Sequence, residues 1–290
     1  MKNSIDKKNP LCYNEIKIYF TEKMITMQSI LITGAGGGMG RATALQLEKQ
    51  GYRIFALDKK PIEAKENLIP ITADLTDPES VERAVGTVKK HTDSLAAIIH
   101  FAGIYMLDSL VEMPYADFKK AFEINVFGAF LVNRAFLPLL KKGSRILITT
   151  SELAPLAPLP FTGLYAVTKS ALDGYAYSLA MELQLLGISV SVLRAGAVDT
   201  GMLSVSTAAL DRFVEQTKLY SCNAVRFKKI VDGVEAKNIP PEKIARKAER
   251  ILSKKHPRFI YHINRNPLLL LLNALPRTAQ LAVIRRILKP

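Results

Sequence analysis

The sequence predicts an α/β fold: one doubly wound domain with a parallel seven-stranded sheet and helices on both faces. Three observations predict it. Short apolar runs alternate with longer stretches of helical period along most of the chain, as in a parallel sheet buried between helices. A glycine run, Thr33-Gly34-Ala35-Gly36-Gly37-Gly38-Met39-Gly40, joins the first apolar run to the first helix. Gly34, Asp58, Asp74, Gly103, Ser151 and Gly196 punctuate the ends of the apolar runs. In open α/β sheets that edge is where ligands bind.

Residues 1–26 are polar, mixed in charge and without period, and are expected to form a poorly ordered arm or to precede a start at Met27. Ser29–Thr33 is the first apolar run, a buried strand. Residues 41–50 read as a helix stopped by Gly51. Residues 53–57 and 68–73 are the next two strands, closed by Asp58 and Asp74. Residues 78–90 form a helix with Pro78 at an early position, where its missing N–H costs nothing. Residues 96–101 are the fourth strand, closed by Ala102-Gly103, and 115–140 one long helix or a kinked pair. Residues 145–150 are the fifth strand, 162–186 a long helix ended by Gly187, and 189–193 the sixth strand. A helix over 241–253 and a seventh strand over 258–261 complete the domain. The boundaries that follow are an arm over 1–26, a catalytic domain over 27–262 and a basic amphipathic helical extension over 263–290.

Composition bounds the setting. A hydrophobic fraction of 49% supports a sizeable core. Two cysteines, Cys12 and Cys222, give no disulfide framework, and no signal peptide is read at the N-terminus. Both point to a reducing compartment, the cytoplasm. The four histidines are scattered and no cluster has metal-ligand spacing, so no metal is expected. The net charge of +14 is uneven. Residues 218–290 carry 17 Lys/Arg against 4 Asp/Glu, a balance of +13, while the preceding 217 residues carry 23 against 22, a balance of +1. The last quarter therefore presents either a solvated basic face or a surface for an anionic partner.

The glycine run lies between strand and helix, where backbone N–H groups and the helix dipole face a pyrophosphate. Tyr165 and Lys169, four apart near the start of a long helix, share a face. Free tyrosine titrates near ~10, and a neighbouring ammonium is expected to lower that value toward a useful acid/base range. The pair could protonate a carbonyl oxygen or deprotonate an alcohol. Two other Tyr/Lys pairs at this spacing, Tyr13/Lys17 and Tyr115/Lys119, lack such a setting.

The Thr-Gly-x-x-x-Gly-x-Gly spacing with Tyr-x-x-x-Lys resembles the short-chain dehydrogenase/reductase family, from about Ser29 to Thr200. The resemblance implies a Rossmann-type domain and NAD(P)-dependent oxidation of CH–OH groups. It implies cofactor contacts from Thr33, Gly34, Gly36, Gly38, Met39 and Gly40, from Asp74-Leu75, from Ala102-Gly103, and from Gly196, Val198 and Thr200. Tyr165 would be the general acid/base and Lys169 would also bind the nicotinamide ribose. Ser151, fourteen residues before Tyr165, would hold the substrate oxygen, although the family commonly places that serine at thirteen, here Glu152. Thr149 and Thr150 are weaker alternatives. Asn125 would open its helix locally and hold a relay water. The family's Asn-Asn-Ala-Gly is His100-Phe101-Ala102-Gly103 here, so His100 is expected to be a buried, hydrogen-bonded residue. Its Pro-Gly after the sixth strand is Ala195-Gly196.

Asp58, 24 residues after Gly34, can accept hydrogen bonds from a ribose 2′-OH and would repel a 2′-phosphate, which favours NAD(H). Lys59 and Lys60 keep NADP(H) open. Residues 201–239 are expected to cover the site as a lid, with Met202, Leu203, Leu210, Phe213, Leu219, Tyr220, Val225 and Phe227 lining an apolar cavity or packing the lid down. The extension carries five leucines, 268–272, and a segment, 277–289, with Leu281, Val283, Ile284, Ile287 and Leu288 on one side. It resembles extensions of family members acting on steroids, retinoids or lipid ketones. The implied substrate is an apolar alcohol or ketone. The tail could contact an anionic membrane, the domain itself or a second subunit. A homodimer or homotetramer is expected and specific nucleic-acid binding is not. A non-catalytic dinucleotide sensor is the alternative of another class.

Overall fold

The computed structural model describes residues 27–233 and 238–289. The arm expected over 1–26 lies outside them. Seven parallel strands form one sheet in the order β3-β2-β1-β4-β5-β6-β7. They are β1 Ser29–Thr33, β2 Arg53–Asp58, β3 Leu68–Thr72, β4 Leu95–His100, β5 Leu140–Ser151, β6 Ser189–Ala195 and β7 Ile260–Ile263. The helices are α1 Gly38–Lys49, α2 Pro78–Lys89, α3 Tyr115–Phe122, α4 Gly128–Phe136, α5 Gly163–Leu183, α6 Gly201–Gln216, α7 Ser221–Gly233, α8 Pro241–Leu252, α9 Pro267–Asn273 and α10 Arg277–Leu288.

The central strands are apolar throughout because both faces of the sheet are covered. Ile30, Leu31, Ile32, Ile98, Ile99, Ile146 and Ile148 are all at most 1% exposed. Each such side chain contributes roughly 2 kcal/mol of burial free energy. On one face α2, α4 and α5 contribute Val81, Val85, Val132, Phe136, Leu172 and Ala176. On the other, α1 and α8 contribute Ala44, Leu47, Ile244, Ala248 and Ile251.

Three elements differ from expectation. β5 begins at Leu140 rather than 145, because Ser144 Oγ accepts from Lys141 N–H at 2.9 Å and donates to Leu95 O at 2.7 Å, tying an irregular start to β4. β7 lies two residues later than expected; Arg258 sits outside it, its N–H on Tyr261 Oη at 2.8 Å. The predicted long helix is broken into α3, a π-helical turn over Glu123–Phe127, α4 and a 3₁₀ turn over Leu137–Leu139. This Tyr115–Leu139 run is the one helical stretch, among the described residues, long and apolar enough to cross a membrane, and its Ala121, Val132 and Phe136 are packed in the core.

An ion pair that the sequence did not announce locks α5 to the sheet. Arg194 on β6 donates Nη2 and Nε to the two oxygens of Asp173 at 2.6 and 3.0 Å, and Thr150 Oγ1 donates to Asp173 Oδ1 at 3.2 Å. Both ionic side chains are largely buried, at 13% and 15% exposure. Replacing Asp173 by Ala strands a buried guanidinium, and urea unfolding is expected to show a loss of about 3 kcal/mol.

Candidate active site

The parallel sheet delivers every β-to-α turn to one edge, and a cleft of about 1140 Å³ runs along it. The glycine turn forms its floor. Gly34 has φ 68°, and a Cβ there would stand 2.5 Å from Ala102 N, so the turn and the end of β4 touch backbone to backbone. Gly37 N–H bonds Gly34 O at 3.1 Å and feeds directly into α1. No side chain caps that helix start and no acidic residue lies in its first turn. Its N–H groups and positive dipole end are available to an anion. Met39, Gly38, Gly40, Leu75, Ala102, Gly103 and Thr200 line the cleft with it. The Thr200 methyl packs over Gly38, where a Cβ would lie 2.6 Å away.

At the far end stands Asp58. Its carboxylate accepts from Gly36 N–H at 2.9 Å and Lys60 N–H at 3.0 Å, and a Cβ on Gly36 would lie 3.1 Å from it. Lys59 reaches across to Asp74 at 2.6 Å, and Thr76 donates its N–H and hydroxyl to the same carboxylate. The Lys59 bond, with help from Thr76, brings the Asp74 carboxyl down to about 2. A side-chain-free turn, an open helix start and a terminal carboxylate fit a dinucleotide: the turn for its pyrophosphate, Asp58 for its ribose.

The catalytic candidates converge at the start of α5. Tyr165 shares a hydrogen bond with Ser151, whose Oγ also accepts from Leu153 N–H at 3.2 Å. Glu152, at the family's usual serine spacing, points elsewhere and accepts from Asn266 N–H at 2.6 Å. Thr150 is engaged by Asp173, and Thr149 Oγ1 is buried with no hydrogen-bond partner. Lys169 Nζ lies 5.7 Å from the centre of the Tyr165 ring. Asn125 occupies the π-helical turn. Its Oδ1 accepts from Ile104 N–H at 2.7 Å, and its Nδ2 donates to Ile104 O and Thr168 Oγ1, both at 3.0 Å. The π-helical turn interrupts the regular backbone ladder here, and Asn125 turns its side-chain amide inward from it. Lys169 and Asn125 meet beside Gly103, where a Cβ would lie 3.3 Å from Nζ and 3.1 Å from Oδ1.

The expected lowering of the Tyr165 pKa is not what this geometry produces. Burial pushes it up to about 12; the Ser151 hydrogen bond pulls it down and Tyr105 adds to the rise. Burial likewise brings Lys169 down to about 8. Burial removes hydration that the charged form of each group needs, and this loss dominates both shifts. The proton stays on Tyr165 at neutral pH.

The remaining candidates sit behind the cleft. Thr33 is fully buried and its hydroxyl accepts from Ala102 N–H at 3.4 Å. Gly196 faces Asn264 O, which a Cβ would approach to 1.8 Å, and Val198 is buried and bridged to Ile239. Gly196 and Val198 are not among the residues lining the cleft. His100 is a buried structural residue, with Nε2 2.9 Å from Asn133 Oδ1 and Nδ1 3.5 Å from Thr33 Oγ1. Burial lowers it to about 4, so it is neutral. The sequence reading missed Tyr105, whose ring packs 4.9 Å from that of Tyr165 and lines the cleft. Its only signal was position, two residues after Gly103.

Of the lid residues, Leu210, Phe213 and Phe227 are buried against one another with Ala224, packing α6 and α7 down. Phe161, at a left-handed φ of 64°, is the hub of this layer. Its ring contacts Phe213 at 4.4 Å and Tyr220 and Phe227 at 5.4 Å. Leu219 and Val225 are exposed, at 66% and 42%. The side chains of Met202 and Leu203 lie outside the described residues.

Known proteins agree with this architecture. Residues 28–211 match the family model for short chain dehydrogenases. A 3-ketodihydrosphingosine reductase of Bacteroides thetaiotaomicron is 28% identical over 233 residues, covering 80% of this chain and 86% of the relative. An estradiol 17-beta-dehydrogenase 2 of Mus musculus is 32% identical over 190 residues, covering 61% of this chain and 50% of the relative. A short-chain dehydrogenase of Streptomyces avermitilis superposes with a TM-score of 0.72 at 20% identity, covering 90% and 94% of the two chains. The chain belongs to the short-chain dehydrogenase/reductase family and is an NAD(P)-dependent oxidoreductase acting on CH–OH groups.

Proposed function

We propose that this enzyme interconverts a secondary alcohol and a ketone on an apolar, lipid-like substrate, with NAD(H) as its cofactor. The observation that carries this reading is the Tyr165–Ser151 hydrogen bond beside Lys169, next to a cleft whose floor is the glycine turn and whose wall includes Tyr105, packed on Tyr165, and Gly103, beside Lys169. The nicotinamide, when bound, supplies or takes up the hydride. Ser151 orients the substrate oxygen by donating its O–H. Tyr165 passes its phenolic proton to that oxygen in reduction and receives it back in oxidation. The Lys169 ammonium steadies the phenolate left behind, and Asn125 clamps the backbone of Ile104 beside it through both its N–H and its C=O. The protonated Tyr165 is the form that reduction requires. Tyr105, Met106, Leu107 and Phe213 give the substrate end an apolar wall. The names of two relatives, a reductase of a sphingoid ketone and an estradiol dehydrogenase, support a lipid-like substrate.

Asp58 supports NAD(H): its remaining lone pairs suit a ribose 2′-OH and its charge opposes a 2′-phosphate. Of the two lysines that would favour NADP(H), Lys59 is paired with Asp74, while Lys60 lines the cleft. We further propose a homodimer through the face formed by the end of the π-helical turn, α4 and α5. Phe127, Phe130, Tyr177 and Met181 there are 52%, 44%, 56% and 47% exposed, an apolar patch a monomer would rarely leave bare.

Three outcomes are expected. Tyr165→Phe lowers turnover by roughly 10³-fold while cofactor affinity by fluorescence titration stays near that of the parent; retained turnover would remove Tyr165 from its role. Asp58→Ala shifts the ratio of NADH to NADPH affinity toward NADPH by about tenfold, and an unchanged ratio would leave Asp58 a turn residue. Phe130→Glu moves the light-scattering mass from dimer to monomer; a monomeric parent would refute the dimer.

A further inference from the structure

The extension that follows β7 is neither a loose tail nor part of the catalytic machinery. It is pinned at four points. Asn266 N–H is held by Glu152 Oε2, and Asn273 Oδ1 accepts from Ala157 N–H, both at 2.6 Å. Asn223 on α7 donates to Leu288 O at 2.7 Å, and Arg226 donates to Lys289 O. Ile284 and Leu288 seat α10 on α7 and the aromatic layer around Phe161. What the elbow of α9 and α10 turns outward is therefore a fixed surface.

That surface has an unusual composition. Leu268, Leu271 and Leu275 stand three and four residues apart and are 56%, 68% and 39% exposed. Leu281 and Ile287, flanking the seated stripe of α10, are 71% and 46% exposed. Residues 263–290 carry Arg265, Arg277, Arg285, Arg286 and Lys289 and no Asp or Glu. All five cations are exposed. Beside α10 an apolar groove of about 500 Å³ opens between Leu110, Val111 and Phe161, with Arg285 and Lys289 on its wall. Phe161 lines this groove and packs on Phe213, which lines the main cleft. One aromatic layer thus separates the two.

Exposed leucines cost free energy in water, and five cations without a carboxylate attract an anionic surface. A solvated basic helix would need no leucine ladder. A protein partner would be matched by mixed charge, and a single-stranded nucleic acid by aromatics among the cations, which this surface does not carry. We propose that the α9–α10 elbow docks on an anionic phospholipid bilayer, with Leu268, Leu271, Leu275 and Leu281 entering the acyl boundary and the arginines meeting headgroups. The groove then opens toward the lipid.

The test is co-sedimentation of the full chain with phosphatidylcholine vesicles and with mixed phosphatidylcholine–phosphatidylglycerol vesicles. The expected result is binding to the anionic vesicles only, weakened by added salt. Leu268→Glu/Leu271→Glu and Arg285→Glu/Arg286→Glu should each weaken it by about tenfold or more. Unchanged circular-dichroism melting of both variants shows that the fold is retained; if a pair lowers it, Leu268→Ser and Arg286→Gln alone take its place. Failure of the parent to bind anionic vesicles would overturn the proposal. So would binding that loses strength with the arginines but not with the leucines, since the surface would then be only a basic patch. Neither readout depends on catalysis, so the outcome is independent of the proposed reaction.

Discussion

Everything at the functional edge depends on one close approach, the contact of the glycine turn with the end of β4. Parallel strands send all their outgoing turns to the same edge, but they do not by themselves make a cleft. The cleft exists because Gly34, at φ 68°, lets the β1–α1 turn lie against the backbone of Ala102. That contact opens the first turn of α1 toward the cavity, brings Gly36 under Asp58, and leaves Gly103 with room for Lys169 and Asn125 behind it.

The same contact is braced from within. His100, at the last position of β4, spans from Thr33 on β1 to Asn133 on α4, and Asn133 donates in turn to Tyr175 on α5 at 3.1 Å. A neutral, fully hydrogen-bonded chain can be buried at little cost, whereas an ionised one could not. It joins the two central strands to the two helices that carry Asn125's neighbours and Tyr165. The Asp173–Arg194 pair does the equivalent work on the other side of α5, holding it to β5 and β6. The α5 helix, which carries Tyr165 and Lys169, is thereby fixed between two polar networks on opposite flanks. Lys169 can be buried and Tyr165 half-buried and still hold their geometry.

The extension reaches both walls of the substrate region. Through Asn266 and Asn273 it touches the loop after Ser151, and through Leu288 and Lys289 it touches α7, which packs on the Phe161 layer. Glu152 is central to this. Its position in the chain made it a rival to Ser151, yet its carboxylate serves as a buckle for the extension. Two adjacent residues face opposite ways because successive side chains alternate along an extended strand end.

The architecture was legible in the sequence because periodicity and punctuation are local properties. The apolar runs, the glycine turn and the Tyr165/Lys169 spacing each show in a handful of neighbouring residues, and together they determine an α/β sheet with its site at the carboxyl edge. Strand ends were misplaced where tertiary contacts decided them: Ser144 reaching Leu95 to start β5 early, and Tyr261 taking the Arg258 N–H to start β7 late. Packing across the chain also set Ser151 beside Tyr165 and turned Glu152 away to Asn266, paired Asp173 with Arg194, and set Tyr105 against Tyr165. The sign of the Tyr165 shift belongs to the same class. Spacing places an ammonium near a phenol and says nothing of how much water either keeps, and desolvation is a sum over the whole fold. What the sequence by itself determined is which residues could do the chemistry; what only the tertiary structure decided is which of them meet, and in which state of charge.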